Sequence, residues 1–444
     1  MWDQRAERMS ADERADLQST RLDGLVGRLA ERSPRYRERL AGVGVGPGAR
    51  VGLDGLADLP FTTKQDLWDA YPWGLLAVPR EQVVRVHGSS GTGGRPTLVA
   101  YSRADLGIWA EVCARALGCA GATAGTIVHN AYGYGLFTGG LGMHAGAELM
   151  GCTLVPVSGG QTQRQVTLVR DLQPEILCCT PSYAARLGEA LAEAGMAKDD
   201  ISLRVGIFGA EPWTEAMRAQ IEALLPLRAI DIYGLSEIIG PGVACECVEA
   251  QAGLHVNEDH FLVEVVDPGS GRPLPPGERG ELVFTTLTKE AMPLLRYRTG
   301  DIASLDRSAC ACGRTLARMS KVTGRRDDML VIRGVNVYPS EVEAVLVAER
   351  AVAPHYLLVV DRTGTMPRLV VACELAAGWT ICAETEEAER ERVAGEMGAA
   401  LLQRLGLATE VRVLPAGAIP RVELGKAKRV VQRTVEDNPL PGWL

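Results

Sequence analysis

The stretch Glu175-Ile176-Leu177-Cys178-Cys179-Thr180-Pro181-Ser182-Tyr183-Ala184-Ala185 decides the fold. A short apolar run passes directly into a helical pattern that continues over residues 181–194. The same unit recurs on both sides. Residues 126–129, 153–157, 205–208 and 229–232 read as strands, and residues 161–172 and 214–225 as helices. Strands alternating with helices at this spacing predict a mostly parallel sheet covered by helices on its faces. Ligands of such sheets sit at the carboxyl ends of the strands, so the turns that follow these runs are the informative ones.

Outward from this centre the pattern changes. Residues 1–76 read as helices and connectors. Beyond residue 253, residues 261–267 and 281–287 are rich in β formers and are joined by a Gly- and Pro-dense turn at 267–280. This predicts a β-rich subdomain at about 254–323. A second shift falls near 324–328. After it come a helix at 339–347 opened by Pro339, strands at 356–360 and 369–375, a charged helix at 386–405 with Thr385 as its N-cap, and a strand at 410–414. The expected class is α/β. A large N-terminal domain, residues 1–326, would have mostly parallel sheets plus the β-rich part, and a small mobile α+β domain would span 328–444.

At 444 residues the chain is too long for one ordinary core. It is 46% hydrophobic and 23% charged, which is ordinary for a soluble globular protein. A net charge of -8 without a basic block argues against nucleic acid or an anionic membrane as partner. Residues 1–14 lack the apolar run of a signal peptide. Residues 116–147 carry no Asp, Glu, Lys or Arg, but they hold His129, Asn130, His144 and many glycines, so a buried glycine-rich loop region is expected there and not a membrane span. Eleven cysteines without secretion signals point to reduced thiols and a cytoplasmic location.

The sharpest local signal is Ser89-Ser90-Gly91-Thr92-Gly93-Gly94-Arg95-Pro96-Thr97. Its glycines let several backbone N–H groups aim at one point, its hydroxyls add donors, and Arg95 adds a charge suited to phosphate oxygens. The Walker A spacing is missing, and Pro96 occupies the third glycine position of a dinucleotide fingerprint.

This loop resembles the phosphate loop of the acyl-adenylate-forming superfamily, and the chain is most similar to its phenylacetate–coenzyme A ligase branch. The resemblance runs from about residue 61 to 429. In order it rests on the loop, on Tyr132-Gly133-Tyr134-Gly135-Leu136-Phe137-Thr138-Gly139-Gly140, on Thr180-Pro181-Ser182-Tyr183 and on Phe208-Gly209-Ala210-Glu211-Pro212. Tyr233-Gly234-Leu235-Ser236-Glu237, Arg296-Tyr297-Arg298-Thr299-Gly300-Asp301, Gly324-Arg325-Arg326-Asp327-Asp328 and Gly425-Lys426 complete it. The ordered set is specific where each motif alone is not.

The resemblance implies roles. Ser89, Ser90, Gly91, Thr92, Gly93 and Gly94 would meet the phosphates of ATP. Gly209, Ala210, Glu211 and Pro212 would line the adenine site, Tyr233 would stack near adenine, Ser236 would meet phosphate, and Asp231 and Gly234 would belong to the same nucleotide site. Glu237 would hold Mg²⁺, as a carboxylate beside a triphosphate requires. Asp301 would accept both ribose hydroxyls, Arg325 would reach the nucleotide, Asp327 would be the hinge, and Lys426 would enter the site for adenylation. Two departures stand out: Gly93 where many members carry a second Thr, and Arg95 where Lys is usual.

For the substrate, Tyr132, Tyr134 and Phe137 cluster in one glycine-rich segment of a chain that is only 5% aromatic, and with Ala210 and Gly234 they suit a flat ring. A small aromatic carboxylic acid is expected, with ATP, Mg²⁺ and coenzyme A as cofactors and a homodimer as the candidate assembly. The acceptor stays open: coenzyme A, or else a carrier-protein thiol, an amine or a hydroxyl. A non-catalytic nucleotide-binding relative is the rival from another class, and Glu237, Asp301 and Lys426 speak against it.

One further constellation is Cys247, His255, Cys310 and Cys312. Three thiolates and an imidazole make a closed tetrahedral set suited to structural Zn²⁺, and Gly313 follows Cys310-Ala311-Cys312 as in a metal-binding knuckle. Cys245 is the reserve ligand, and four unrelated reduced side chains are the alternative.

Overall fold

The structure is a computed structural model that describes residues 1–89, 97–322, 324–325, 330–333, 335–363, 367–376, 379, 386–420 and 429–434. Its centre is a sheet of nine strands. From one edge, Thr153–Val155, Ile127–Asn130, Ile176–Cys179, Val205–Gly209 and Arg228–Leu235 lie parallel to one another. Every residue of Ile176–Cys179 and of Val205–Gly209 is buried. Helices on both faces produce that result in a parallel sheet, and it is why these runs read as continuous apolar segments. The helices Thr162–Leu172, Pro181–Glu193 and Glu215–Leu224 stand where the periodicity puts them.

The sheet then reverses. Gly240–Glu246 runs antiparallel to Arg228–Leu235, followed by Leu254–Val256, Arg318–Met319 and Leu305–Asp306. A separate antiparallel sheet carries Phe261–Val266, Gly280–Thr286, Tyr297–Ala303 and Gly324–Arg325. Residues 254–323, expected as one β-rich unit, therefore divide between two sheets. The three short strands that join the large sheet have two or three residues each, too few to show a period.

The uncharged stretch 116–147 is not a loop region. It holds the end of the helix Arg103–Cys119, the strand Ile127–Asn130 and most of the helix Gly139–Met150. Glycine lowers helix propensity, which hides this last helix in the sequence. Packing explains why the glycines are there. A Cβ on Gly142 would stand 2.5 Å from Trp109 Nε1, and one on Gly146 would stand 2.5 Å from Cys113 Cβ, so only glycine lets the two helices approach this closely.

The C-terminal part has its own four-stranded sheet, ordered Glu410–Leu414, Arg368–Leu375, Val352–Asp361, Val430–Arg433. The helices Pro339–Ala348 and Glu386–Leu405 pack with it around Val342, Leu346, Leu358, Val371, Val393 and Leu401. Thr385, the expected N-cap, lies outside the described residues. This part touches the large sheet's helices through polar contacts. The Glu343 carboxylate accepts from Thr214 N at 3.1 Å and from the Tyr356 hydroxyl at 2.6 Å, and His355 Nε2 lies 3.1 Å from Glu189 Oε1. Among the described residues no helix is long and apolar enough to cross a membrane.

Candidate active site

The turns after the parallel strands converge at one end of the large sheet. Tyr132 and Tyr134 follow Ile127–Asn130, Thr180 follows Ile176–Cys179, Ala210 and Glu211 follow Val205–Gly209, and Ser236 and Glu237 follow Arg228–Leu235. Each strand ends in the sheet while its successor residue must turn into a helix or loop, which places side chains and bare backbone at the same rim.

Ala210 has φ +71°, a left-handed conformation that an L side chain adopts only under constraint. Its neighbour Glu211 accepts the Ser182 N–H at 2.7 Å, so the carboxylate ties this turn to the start of the helix Pro181–Glu193. Gly234 could not carry a side chain, because a Cβ there would meet Gly240 O at 1.9 Å. Removal of Asp231 from solvent pushes its carboxyl up to about 7, with Lys321 opposing the shift and Glu246 adding to it.

The second wall comes from the antiparallel sheet. The Tyr233 hydroxyl donates to Asp301 Oδ2 at 2.7 Å, and the Tyr233 ring stacks on Phe284 with centroids 5.9 Å apart. Asp301 Oδ2 and the end of the strand Arg228–Leu235 are thereby fixed to one another. Ser236 Oγ lies 3.2 Å from Thr138 Oγ1, which joins it to the loop before the helix Gly139–Met150. Glu237 is 7% exposed. Its backbone carbonyl and that of Ile238 accept from Lys289 Nζ at 3.1 and 2.8 Å. Lys289 lies in no family motif and Thr138 sits in the motif 132–140, but sequence reasoning singled out neither as a site residue.

The three expected ring-binding aromatics have different surroundings. Tyr132 is buried, with its hydroxyl donating to Ile207 O at 3.2 Å. The Tyr134 hydroxyl accepts from Asn130 Nδ2 at 2.8 Å and lies 3.2 Å from His144 Nδ1. Phe137 is 51% exposed at the rim. Ser90, Gly91, Thr92, Gly93, Gly94, Arg95, Asp327 and Lys426 lie outside the described residues. Ser89 ends the strand Arg85–Ser89 that enters the loop, and Arg325 belongs to the strand Gly324–Arg325, paired with Asp301.

A second cluster stands apart from this rim. Cys247 follows the strand Gly240–Glu246, His255 lies in the next strand, and Cys310 and Cys312 come from the turn between Leu305–Asp306 and Arg318–Met319. The antiparallel end of the large sheet brings them together: their donor atoms all lie within 4.8 Å of one another. Cys247 Sγ is 3.8 Å from Cys310 Sγ, and Cys312 Sγ is 3.4 Å from His255 Nε2. Gly313, with φ +79°, closes the turn by donating its N–H to Cys310 O at 2.9 Å. Burial and the nearby Arg314 push His255 down to about 4, so its imidazole is neutral and able to offer a lone pair. Cys245 Sγ points instead to Glu246 O and Ala116 O. Glu111, Asp259 and His260 also converge, but Arg115 already binds both carboxylates.

Residues 65–287 match the AMP-binding enzyme family, and residues 334–434 match the AMP-binding enzyme C-terminal domain. The phenylacetate-coenzyme A ligase of Thermus thermophilus is 53% identical over 428 residues, covering 94% of this chain and 95% of that one. The chain belongs to the phenylacetate–coenzyme A ligase family of AMP-binding enzymes. Members from Aromatoleum evansii and Escherichia coli are 50% and 48% identical, each over 96% of both chains. Membership makes it an AMP-forming acid–coenzyme A ligase.

Among solved structures, 2-hydroxyisobutyryl-CoA ligase in its postadenylation state superposes with a TM-score of 0.89 at 28% identity, covering 97% of this chain and 91% of that one. The same ligase with coenzyme A in its thioesterification state gives 0.71 at 29% identity, covering 97% and 92%.

Proposed function

We propose that this chain joins phenylacetate to coenzyme A, with ATP cleaved to AMP and pyrophosphate. The reading rests on one combination: Asp301 is bonded to Tyr233, whose strand runs directly into Ser236 and Glu237, in a chain about half identical, nearly end to end, to ligases named for that substrate.

In the first half-reaction the phenylacetate carboxylate attacks the α-phosphorus of ATP and pyrophosphate leaves. Asp301 accepts from the ribose hydroxyls and is itself aimed by Tyr233. Residues 89–97 and Ser236 receive the phosphates. Among the described residues the Glu237 carboxylate accepts no hydrogen bond, which suits it to a hard cation, and Mg²⁺ held there would neutralise charge on the triphosphate. Lys426 supplies a positive charge between the attacking carboxylate and the α-phosphate as negative charge builds. Tyr132, Tyr134, Phe137, Ala210 and Gly234 border the space for the aromatic ring. In the second half-reaction the C-terminal domain turns about Asp327, Lys426 withdraws, and the thiolate of coenzyme A attacks the acyl carbon and expels AMP. The difference in TM-score between two states of one relative supports a rearrangement of this kind.

We also propose that Cys247, His255, Cys310 and Cys312 bind structural zinc. A tetrahedral site with Zn–S of about 2.3 Å has sulfur–sulfur edges of about 3.8 Å. The Cys247–Cys310 separation of 3.8 Å has that length, and it is far too long for a disulfide.

Mass spectrometry of a reaction containing ATP, Mg²⁺, phenylacetate and coenzyme A tests the main reading. Phenylacetyl-coenzyme A with AMP is expected. ADP as product, or an aryl-adenylate that never reaches the coenzyme A thiol, would reject it.

A further inference from the structure

Lys289 is a lysine that is 1% exposed, in a turn that carries no family motif. An ammonium ion withdrawn from water costs several kcal/mol and persists only where the fold compensates it. Here the compensation is specific. Its Nζ donates to the carbonyls of Glu237 and Ile238 and lies over the Tyr101 ring, 4.9 Å from its centroid. The Tyr101 hydroxyl reaches the two flanking carbonyls, Ser236 O at 3.3 Å and Ile239 O at 3.0 Å. Four consecutive carbonyls, from Ser236 to Ile239, are therefore held by one lysine and one tyrosine.

The other ends of these two residues matter as much. Tyr101 closes the strand Thr97–Tyr101, which pairs with Arg85–Ser89, and these two strands flank loop 89–97. Its ring stacks on Trp109 with centroids 5.3 Å apart, and His87 meets both rings edge-on. Lys289 is set in turn by Asp105, whose carboxylate accepts from Glu290 N at 2.6 Å and Ala291 N at 3.0 Å.

We propose that Lys289 is a positioning residue for the phosphate side of the site, fixing the turn that carries Ser236 and Glu237 to the hairpin that carries loop 89–97. Lys289 acts from behind the turn, through backbone carbonyls, and leaves the Glu237 carboxylate to face the nucleotide. The proposal rests on the reading of that site given above. Loss of the clamp would let the two phosphate-facing elements drift apart, which weakens Mg·ATP while the aromatic acid is handled as before.

The test compares Lys289→Met, which keeps length and removes charge, with Lys289→Arg, which keeps charge, and Tyr101→Phe, which frees the outer two carbonyls. Lys289→Met should raise KM for Mg·ATP about 10-fold or more in ATP–pyrophosphate exchange, with KM for phenylacetate within about 2-fold of wild type. Lys289→Arg should recover most of the loss, and Tyr101→Phe should move the same constant in the same direction by less. Equal increases in both KM values, or unchanged KM for Mg·ATP per folded molecule, would overturn the proposal. If Lys289→Met does not fold, Tyr101→Phe decides: a raised KM for Mg·ATP with KM for phenylacetate unchanged upholds the proposal, and equal changes in both overturn it.

Equilibrium binding of Mg·ATP without any acid separates this proposal from the functional reading. A wild-type enzyme that binds Mg·ATP but turns over no aromatic acid would fail the reading, while the affinity ratio between wild type and variant would still decide the role of Lys289. A wild type that binds no Mg·ATP rejects both.

Discussion

Tyr233 donates its hydroxyl to Asp301 across 2.7 Å, and with that bond the last parallel strand of the large sheet is tied to the antiparallel sheet beside it. Tyr233 thus orients the carboxylate assigned to ribose. Asp301→Ala should raise KM for ATP by about 10- to 100-fold, as expected for losing hydrogen bonds to a charged group worth about 1.5–3 kcal/mol. Tyr233→Phe should cost less, about 1 kcal/mol, because the carboxylate stays but is no longer aimed. Steady-state kinetics with ATP varied checks the order. A larger loss for Tyr233→Phe would contradict this division of roles.

Lys426 is assigned to adenylation alone. Lys426→Ala should lower acyl-adenylate formation by about 10²- to 10³-fold, the scale of removing one preorganised electrostatic contact in the transition state. Thiolation of a supplied phenylacetyl-adenylate should stay within a few-fold of wild type. Single-turnover assays of the two half-reactions make the comparison, and equal loss in both would reject the assignment.

Asp327→Pro fixes φ at the proposed hinge and removes an N–H. Adenylation should remain measurable while thioester formation falls. Wild-type rates in both half-reactions would mean that the hinge lies elsewhere.

The zinc proposal predicts about one zinc per chain by elemental analysis of the purified protein. Chelation should lower the melting temperature by at least about 5 °C, since metal-binding energy contributes to folding energy. Cys310→Ser should bind less zinc and melt lower, and Cys245→Ser should not change the zinc content. Metal-free protein of undiminished stability would contradict the site.

Asp259 gives the acid limb of stability a local cause. Burial alone would raise its pKa, but His260, Arg115 and Arg21 outweigh burial and hold it at about 2. Its folded pKa is thus depressed, so the stabilisation is complete above about pH 4 and is lost as the pH falls toward 2; linkage gives about 2 kcal/mol. Asp259→Asn should therefore lower stability to urea at pH 7 by about that amount and flatten its decline below pH 4. An unchanged pH dependence would show that the carboxylate contributes nothing.

The parallel half of the sheet was legible in the sequence because its strands are buried on both faces and each runs straight into a helix, as at 176–179 and 181–193. The helix Gly139–Met150 was not, since its glycines serve a close approach to Trp109 and Cys113 that no local pattern records. The members of the Cys/His cluster could be named by residue type, and Cys247 could be preferred to Cys245. What joins them is the pairing of Leu254–Val256 with strands on either side, with His255 opposite both Cys245 and Arg318. Lys289 was invisible for a different reason: a lone lysine beside Glu290 reads as solvent-facing until the fold encloses it.

The central claim is aromatic-acid activation at the rim built by Tyr233, Glu237 and Asp301. ATP–pyrophosphate exchange without coenzyme A, run across phenylacetate, benzoate, hydroxybenzoates and aminobenzoates, tests it most directly. The account predicts Mg²⁺-dependent exchange with the highest kcat/KM for phenylacetate, lost in Asp301→Ala and Lys426→Ala. Exchange with none of these acids, or exchange that survives both substitutions, would contradict it.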